Sequence, residues 1–376
     1  MAYFTYPKLL LNWENFLKIE KCFGKKPDLT SINEHLTKLW PKKQIVFTNF
    51  GRTAFQIILD KFDLKGNHIM LPAYICDTFL PILKEYKIKP IFLDANSKTF
   101  NLDPLQIKAK KERDIAAILI CHTYGLACDM EMIQKIVKSE MLLIEDCSHS
   151  FGLKINTQFA GNFGDIAFLS LAKRFAMPDG GILICPKTWN VELEQDTFTK
   201  QNFLKLLNLF PQFSALAKKL SIKQEAQSLI KPSSLSDVSL NLFNLALKSF
   251  ASETAKRIPM ALFLKTRLEK FGFVGQPSQD NIFTFLSVLV PKNIANKRDE
   301  IVNNLAKQKI FCGKMWHNPI ILNVEAQQLY KINLADFPVA TDIAKRIINI
   351  PLQNFYTEQQ IDYLIACIAK AAGLKT

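Results

Sequence analysis

Between residues 44 and 185 this chain alternates short apolar runs with amphipathic stretches, and no other feature restricts its fold as much. The runs are Gln44–Phe47, His68–Leu71, Pro90–Asp94, Ala116–His122, Leu142–Asp146, Ala167–Leu171 and Gly181–Cys185. Several are apolar at nearly every position, as strands buried on both faces are. Patterns of helical period separate the early runs, at Arg52–Phe62, Asp77–Tyr86 and Met130–Ser139. Alternation at this spacing means right-handed crossovers, and so an α/β chain with a mostly parallel seven-stranded sheet and helices on both faces. Ligands of such sheets sit at the carboxyl ends of the strands. The residues just after each run are therefore the ones to inspect.

Beyond the runs the pattern changes. From Thr188 to Ile258 glycine is absent and Leu, Phe and Lys dominate, as in Asn202–Leu207 and Phe213–Leu220. This predicts several helices, broken at Pro211 and at Pro232-Ser233-Ser234, packed on the large domain. A basic amphipathic surface for a membrane or a substrate carrier is the less favoured alternative. Arg267 to Thr376 reads as a smaller α/β unit, with a strand at Asn281–Val290 and helices at Asn296–Gln308, Ala340–Ile348 and Thr357–Ala371. Thr357 has the character of a helix cap. With 376 residues, two domains can each hold a core, and the expected division is 1–258 and 259–376.

Composition narrows the function. The N-terminus lacks the pattern of a signal peptide, and the longest apolar stretches, such as Ile282–Val290, are too short to span a bilayer. The eight cysteines form no Cys-x-x-Cys pair and the five histidines no metal-ligand spacing. Free thiols in a reducing cytoplasm are expected, and no metal. The net charge of +14 is spread along the chain without a nucleic-acid motif, so it is read as a Lys-rich surface.

Three segments carry chemistry. Gly51-Arg52-Thr53 follows the first run and opens a helix. Free amides of a first helical turn, with the Thr53 hydroxyl, suit a phosphate dianion, and Ser170 could add a second hydroxyl. Asp146 ends its run, and a carboxylate there is costly to bury unless paired. A protonated pyridine nitrogen is such a partner. Glu145 faces the opposite side and is given no chemical role. His149 lies one turn on, placed to bond a phenolic oxygen or lie against a ring. Lys173 follows the Ala167–Leu171 run and offers an amine for an aldehyde. Arg174 is too basic for that task. Gly180-Gly181 would let backbone approach closely.

The order and spacing of these segments resemble the DegT/StrS-type sugar aminotransferases of the fold type I pyridoxal-phosphate superfamily, as a divergent branch. The likeness runs through Gly51-Arg52-Thr53-Ala54, Leu71-Pro72-Ala73-Tyr74, His122-Thr123-Tyr124-Gly125, Ile144–Ser150, Ser170–Lys173, Asp179-Gly180-Gly181 and the tail from Phe337-Pro338 to Leu352. The resemblance implies pyridoxal 5'-phosphate as cofactor and Lys173, Asp146 and His149 as the catalytic set. Lys173 would bind the cofactor, Asp146 pair with its ring nitrogen, and His149 lie near the ring. Gly51, the Arg52 amide, Thr53 and Ser170 would hold the phosphate. Cys76 stands where relatives stack an aromatic ring on the cofactor. The family's Asn-Tyr-Arg segment after the lysine is missing. The implied reaction moves an amino group, from glutamate, to a keto group of a nucleotide-linked sugar. A homodimer with the site at the subunit interface is implied, and no nucleic-acid partner. The alternatives are a different pyridoxal-phosphate reaction or a non-catalytic basic interaction protein on the same scaffold. The retained lysine separates the chain from dehydratase relatives that carry histidine there.

Overall fold

The computed structural model describes residues 13–110, 114–137, 140–210, 229–352 and 356–374. The apolar runs become one sheet: β1 (Lys43–Thr48), β2 (His68–Pro72), β3 (Lys89–Leu93), β4 (Ile115–Cys121), β5 (Leu142–Asp146), β6 (Ile166–Ser170) and β7 (Gly181–Pro186). The spatial order is β1-β7-β6-β5-β4-β2-β3, seven strands, as the run pattern predicts. Neighbours from β3 to β6 are parallel, and β7 alone runs against the others.

Side chains alternate between two cores. Ala117, Leu119 and Cys121 of β4 point into one, with Phe55, Ile58 and Leu59 of helix α1 (Gly51–Lys61). Ile118 and Ile120 point into the other, with Ile32, Leu36, Ile107, Met130 and Ile133. This period-two partition is why the strands are apolar throughout and why helices cover both faces.

After β7 the chain forms α2 (Lys200–Asn208) and then α3 (Asp237–Glu269), a single helix of 33 residues. The expected division at residue 258 falls inside α3, and Pro259 does not break it. Its first half packs Leu240, Phe243 and Leu247 on the sheet, while Ala261, Leu264 and Leu268 enter a third core. The apolar face is thus satisfied on both sides of the proline. The expected break at Pro211 and helix at Phe213–Leu220 lie outside the described residues, as does Ser139.

The third core is covered by β8 (Val274–Gly275), β9 (Leu286–Leu289) and β10 (Ile347–Ile350), an antiparallel sheet in that order. The helix expected over Ala340–Ile348 ends at Arg346, and Ile347–Ile350 is a strand. Its β-branched residues are buried against β9, which a pleated surface favours over a helix. Of the strand expected over Asn281–Val290, only Leu286–Leu289 belongs to this sheet. Ile282 N–H instead donates to Gly125 O (3.0 Å) and Phe285 N–H to Tyr124 O (3.2 Å), tying the small unit to the end of β4. Thr357 caps the last helix, Glu358–Ala371, in a reciprocal pair with Gln360. Among the described residues no helix is long and apolar enough to cross a membrane.

Candidate active site

The first turn of α1 sits against the ends of β6 and β7. A Cβ on Gly51 would lie 3.0 Å from the Leu169 carbonyl, and one on Gly181 2.5 Å from the Gly51 nitrogen. Only glycine at both positions allows this backbone contact. Gly180, at φ +113°, donates to Asn49 O at 2.8 Å and accepts from Leu171 N–H at 2.9 Å. The glycine pair therefore fixes the turn of α1 beside Ser170, whose residue is half-buried at the end of β6. Thr53 is turned inward. Its hydroxyl donates to Asn49 Oδ1 or Phe50 O, both at 2.7 Å, and accepts from Phe50 N–H at 3.2 Å. The Thr53 and Ala54 amides return to Phe50 O, which leaves the Arg52 amide of this turn open.

Asp146 ends β5, 4% exposed. Its Oδ1 accepts from Ser148 N–H at 2.9 Å, and the Ser148 hydroxyl both bonds this carboxylate and accepts from Ser170 N–H at 3.1 Å. Burial raises the Asp146 carboxyl above its ordinary range, opposed by Ser148 and by the Lys173 charge. Lys173 lies half-buried in the short turn after β6. Ser170 N–H, donating to the Ser148 hydroxyl, ties the Asp146–His149 segment to the strand end that carries the Lys173 turn. Arg174 diverges from it: its guanidinium lies 4.9 Å from the Phe250 ring centroid and donates to Thr254 Oγ1 at 2.8 Å.

His149 is 1% exposed. Its Nδ1 accepts from Tyr124 N–H at 3.1 Å, and its Nε2 is buried without a partner. Burial and then the Lys173 charge push the imidazole well below its usual pKa, so it is neutral with its proton on Nε2. A buried donor with nothing to donate to is costly, and an acceptor such as a phenolic oxygen would satisfy it.

Glu145 points to the opposite side, as the strand alternation demands. Its carboxylate accepts from the amides of Gly161 (2.9 Å), Phe163 (2.8 Å) and Gly164 (2.6 Å), and bonds His122 Nε2 at 3.1 Å. Burial alone would raise this carboxyl, but His122 and the amides hold it below its ordinary value. Cys128 N–H donates to His122 Nδ1 at 3.0 Å, so the ring proton goes to Glu145. This saturated group braces the loops behind the site.

Cys76 lies after β2, its backbone bridged to Pro319. That bridge brings in residues that sequence reasoning missed. The indole of Trp316 packs on His149 (ring centroids 4.8 Å), Tyr124 (5.6 Å) and Tyr74 (5.6 Å). Tyr74 and Tyr124 hydroxyls meet at 2.7 Å, and Tyr124 donates to Met315 O at 2.6 Å. Only Tyr74 and Tyr124 carried a sequence signal, as members of matched segments. Trp316 reaches the site from far along the chain.

The site fits pyridoxal phosphate on its own features: a buried carboxylate, an orphaned imidazole donor, a half-buried amine and an open amide at a helix start. The chain belongs to the DegT/DnrJ/EryC1/StrS aminotransferase family, whose model matches residues 19–369. It is an aminotransferase. GDP-perosamine synthase of Escherichia coli O157:H7 is 24% identical over 308 residues, 81% of this chain and 79% of that one. The dTDP-4-amino-4,6-dideoxy-D-glucose transaminase of Shigella dysenteriae is 23% identical over 370 residues, 96% of this chain and 94% of that one. A sugar aminotransferase of Streptococcus pneumoniae, solved in its PMP form, shares the fold with a TM-score of 0.78 at 15% identity, covering 99% of both chains. The fold type I architecture expected from the sequence is thereby shown.

Proposed function

We propose that this aminotransferase takes an amino group from glutamate and delivers it to a keto carbon of a nucleotide-linked sugar. One observation carries the chemistry: the buried Asp146 carboxylate and the partnerless His149 Nε2 belong to one segment, which the Ser148 hydroxyl joins to the strand end that carries Lys173. Bound pyridoxal phosphate supplies an electron sink for the pair left when a proton departs from the carbon bearing the nitrogen. Lys173 Nζ would hold the cofactor and, as a free amine, would take the α-proton and return it. Asp146 would keep the ring nitrogen protonated. His149 Nε2 would donate to the cofactor's phenolic oxygen. The amides of Gly51 and Arg52, with the Ser170 hydroxyl, hold its phosphate; Thr53 supports that turn from inside.

The sugar-nucleotide reading is supported by the relatives named above and by the net charge of +14, which attracts a diphosphate. The proposal includes a homodimer with each site completed at the subunit interface. Eight free thiols suit a reducing compartment, and the cytoplasm is the proposed location.

The test is spectroscopic, then chemical. Protein loaded with pyridoxal phosphate should be yellow and should bleach with glutamate. The bleached form should aminate dTDP- or GDP-linked 4-keto-6-deoxy sugars, read by mass spectrometry. Lys173→Ala should lose both the visible band and bleaching. Colour without bleaching would point to another reaction on the same scaffold and overturn the transamination. Bleaching without amination of any keto-sugar nucleotide would overturn the substrate.

A further inference from the structure

The Lys-rich stretch after β7 delivers one charge to the start of α1. Helix α2 begins with a reciprocal cap between Thr199 and Asn202. Asn202 also bonds the Asp179 carboxylate, and Ser239 of α3 donates to the same carboxylate at 2.7 Å. Asp179 precedes the glycine pair that fixes α1. It therefore anchors α2 to the same turn, and this sets Lys205 opposite α1.

The result is an unusual concentration of positive charge. The Arg52 guanidinium carbon lies 5.1 Å from the centroid of the Phe50 ring, and the Lys205 ammonium lies 5.1 Å from the same centroid. Phe50 caps the 11-residue helix α1, whose amino end adds partial positive charge. Both residues are half-buried, and among the described residues neither makes an ion pair. Arg52 Nε is buried and has no partner. Asp179 is the acid whose charge acts on Lys205, and its two oxygens are taken by Ser239 and Asn202. Burial lowers the pKa of Lys205, Asp179 opposes this, and the Arg52 charge lowers it further, so the cations repel. A cation–π contact offsets only part of that repulsion. An anion between them would offset it and satisfy Arg52 Nε.

We propose that Arg52 and Lys205, both packed on the Phe50 ring, form a binding site for a phosphate group at the amino end of α1. Cations of this kind grip phosphate through charge-assisted hydrogen bonds. Neither side chain belongs to the phosphate-holding set described above, which uses amides and Ser170. Two sources have this chemistry: the cofactor's phosphate and the diphosphate of a nucleotide-linked substrate.

The experiment uses Lys205→Gln and Lys205→Arg of the full chain, with three probes: pyridoxal phosphate, dTDP, and unphosphorylated pyridoxal. Affinity is measured by absorbance or calorimetry at low salt, so no keto-sugar turnover is required. The expected result is a loss of about tenfold for a phosphorylated probe in Lys205→Gln, recovered in Lys205→Arg, with pyridoxal unaffected. A loss confined to pyridoxal phosphate assigns the site to the cofactor, and one confined to dTDP assigns it to the substrate. Unchanged binding of both overturns the proposal, as does an equal loss for pyridoxal, which would mean that Lys205 only supports the fold. Because dTDP and pyridoxal phosphate are read separately from amination, failure here leaves the sugar reading standing, and the reverse.

Discussion

Tyr124 gives its backbone N–H to His149 Nδ1 at 3.1 Å while its own ring lies parallel to the imidazole, 11° apart in plane with centroids 5.7 Å apart. The hydrogen bond fixes the imidazole tautomer, and the ring contact fixes its plane. Tyr124 reaches this position at φ +61°, an uncommon conformation for a residue with a side chain. Strain here buys one thing the chemistry needs, a neutral ring with its remaining proton on Nε2.

That arrangement makes the fold sensitive to acid. The His149 pKa is depressed in the folded chain, so below the ordinary value of 6.5 the unfolded chain binds a proton that the folded chain does not. Stability from the buried neutral ring is present above that pH and is lost as pH falls beneath it. The loss approaches about 1.4 kcal/mol per pH unit. Cofactor-free wild type and His149→Gln, melted from about pH 8 to about pH 5, should converge or cross as pH falls. Parallel melting curves over the whole range would show that His149 is not the acid-sensitive group.

Asp146 has the opposite sign. Burial raises its pKa, so its contribution to stability is present below the ordinary 3.8 and lost as pH rises through the folded value. In the cofactor-free protein the ionised carboxylate is therefore poorly solvated, and a pyridinium would pair with it. Asp146→Asn removes that charge and keeps an acceptor for Ser148 N–H. The cofactor-free variant should melt about 1–3 °C above wild type at neutral pH, and the stabilisation given by pyridoxal phosphate should shrink. A lower melting point without cofactor, measured by calorimetry, would count against this account.

The parts of the site that were legible in the sequence are local to strand ends. Asp146, Lys173 and Gly181 each follow or open an apolar run, so period-two burial places them at the carboxyl edge of the sheet or against it. Glu145 faces the opposite side, as the same alternation predicts. Side-chain direction was not legible. Thr53 looked like a phosphate ligand because its hydroxyl opens a helix, yet at the third helical position it turns back to Asn49 and Phe50. Contacts between distant segments were hidden as well. Nothing near Trp316 marks it as a neighbour of His149, because the contact depends on how Pro319 meets Cys76. The helix–strand switch at Arg346 was missed because apolar residues of either period fill the Ala340–Ile348 window.

The tyrosine pair should couple the two units. Tyr74 and Tyr124 share a hydrogen bond of 2.7 Å, and the Tyr124 hydroxyl donates to Met315 O at 2.6 Å. Tyr124→Phe leaves a buried carbonyl and a buried hydroxyl short of a partner. The expected cost is about 1–3 kcal/mol in urea unfolding. In a double-mutant cycle with Tyr74→Phe, a coupling of about 1 kcal/mol is expected. Strict additivity would mean that the pair does not act as one unit.

Gly181 tests the packing that holds the phosphate-facing turn. A methyl there would meet Gly51 N and Phe50 C at 2.5 Å, backbone atoms that cannot rotate away. Either α1 lifts from the sheet or β7 shifts, and both disturb the turn beside Ser170. Gly66 is the control. Its φ of +77° strains an alanine, but no atom lies within 4 Å of the added carbon. Gly66→Ala should cost about 1–2 kcal/mol from backbone strain alone and leave cofactor affinity unchanged. Gly181→Ala should cost about 2–3 kcal/mol and also weaken pyridoxal phosphate, because overpacking moves the backbone that presents the amides. Titration of each variant with cofactor separates the two effects. Equal affinity in Gly181→Ala and Gly66→Ala would mean that the glycine contact stabilises the sheet without shaping the site.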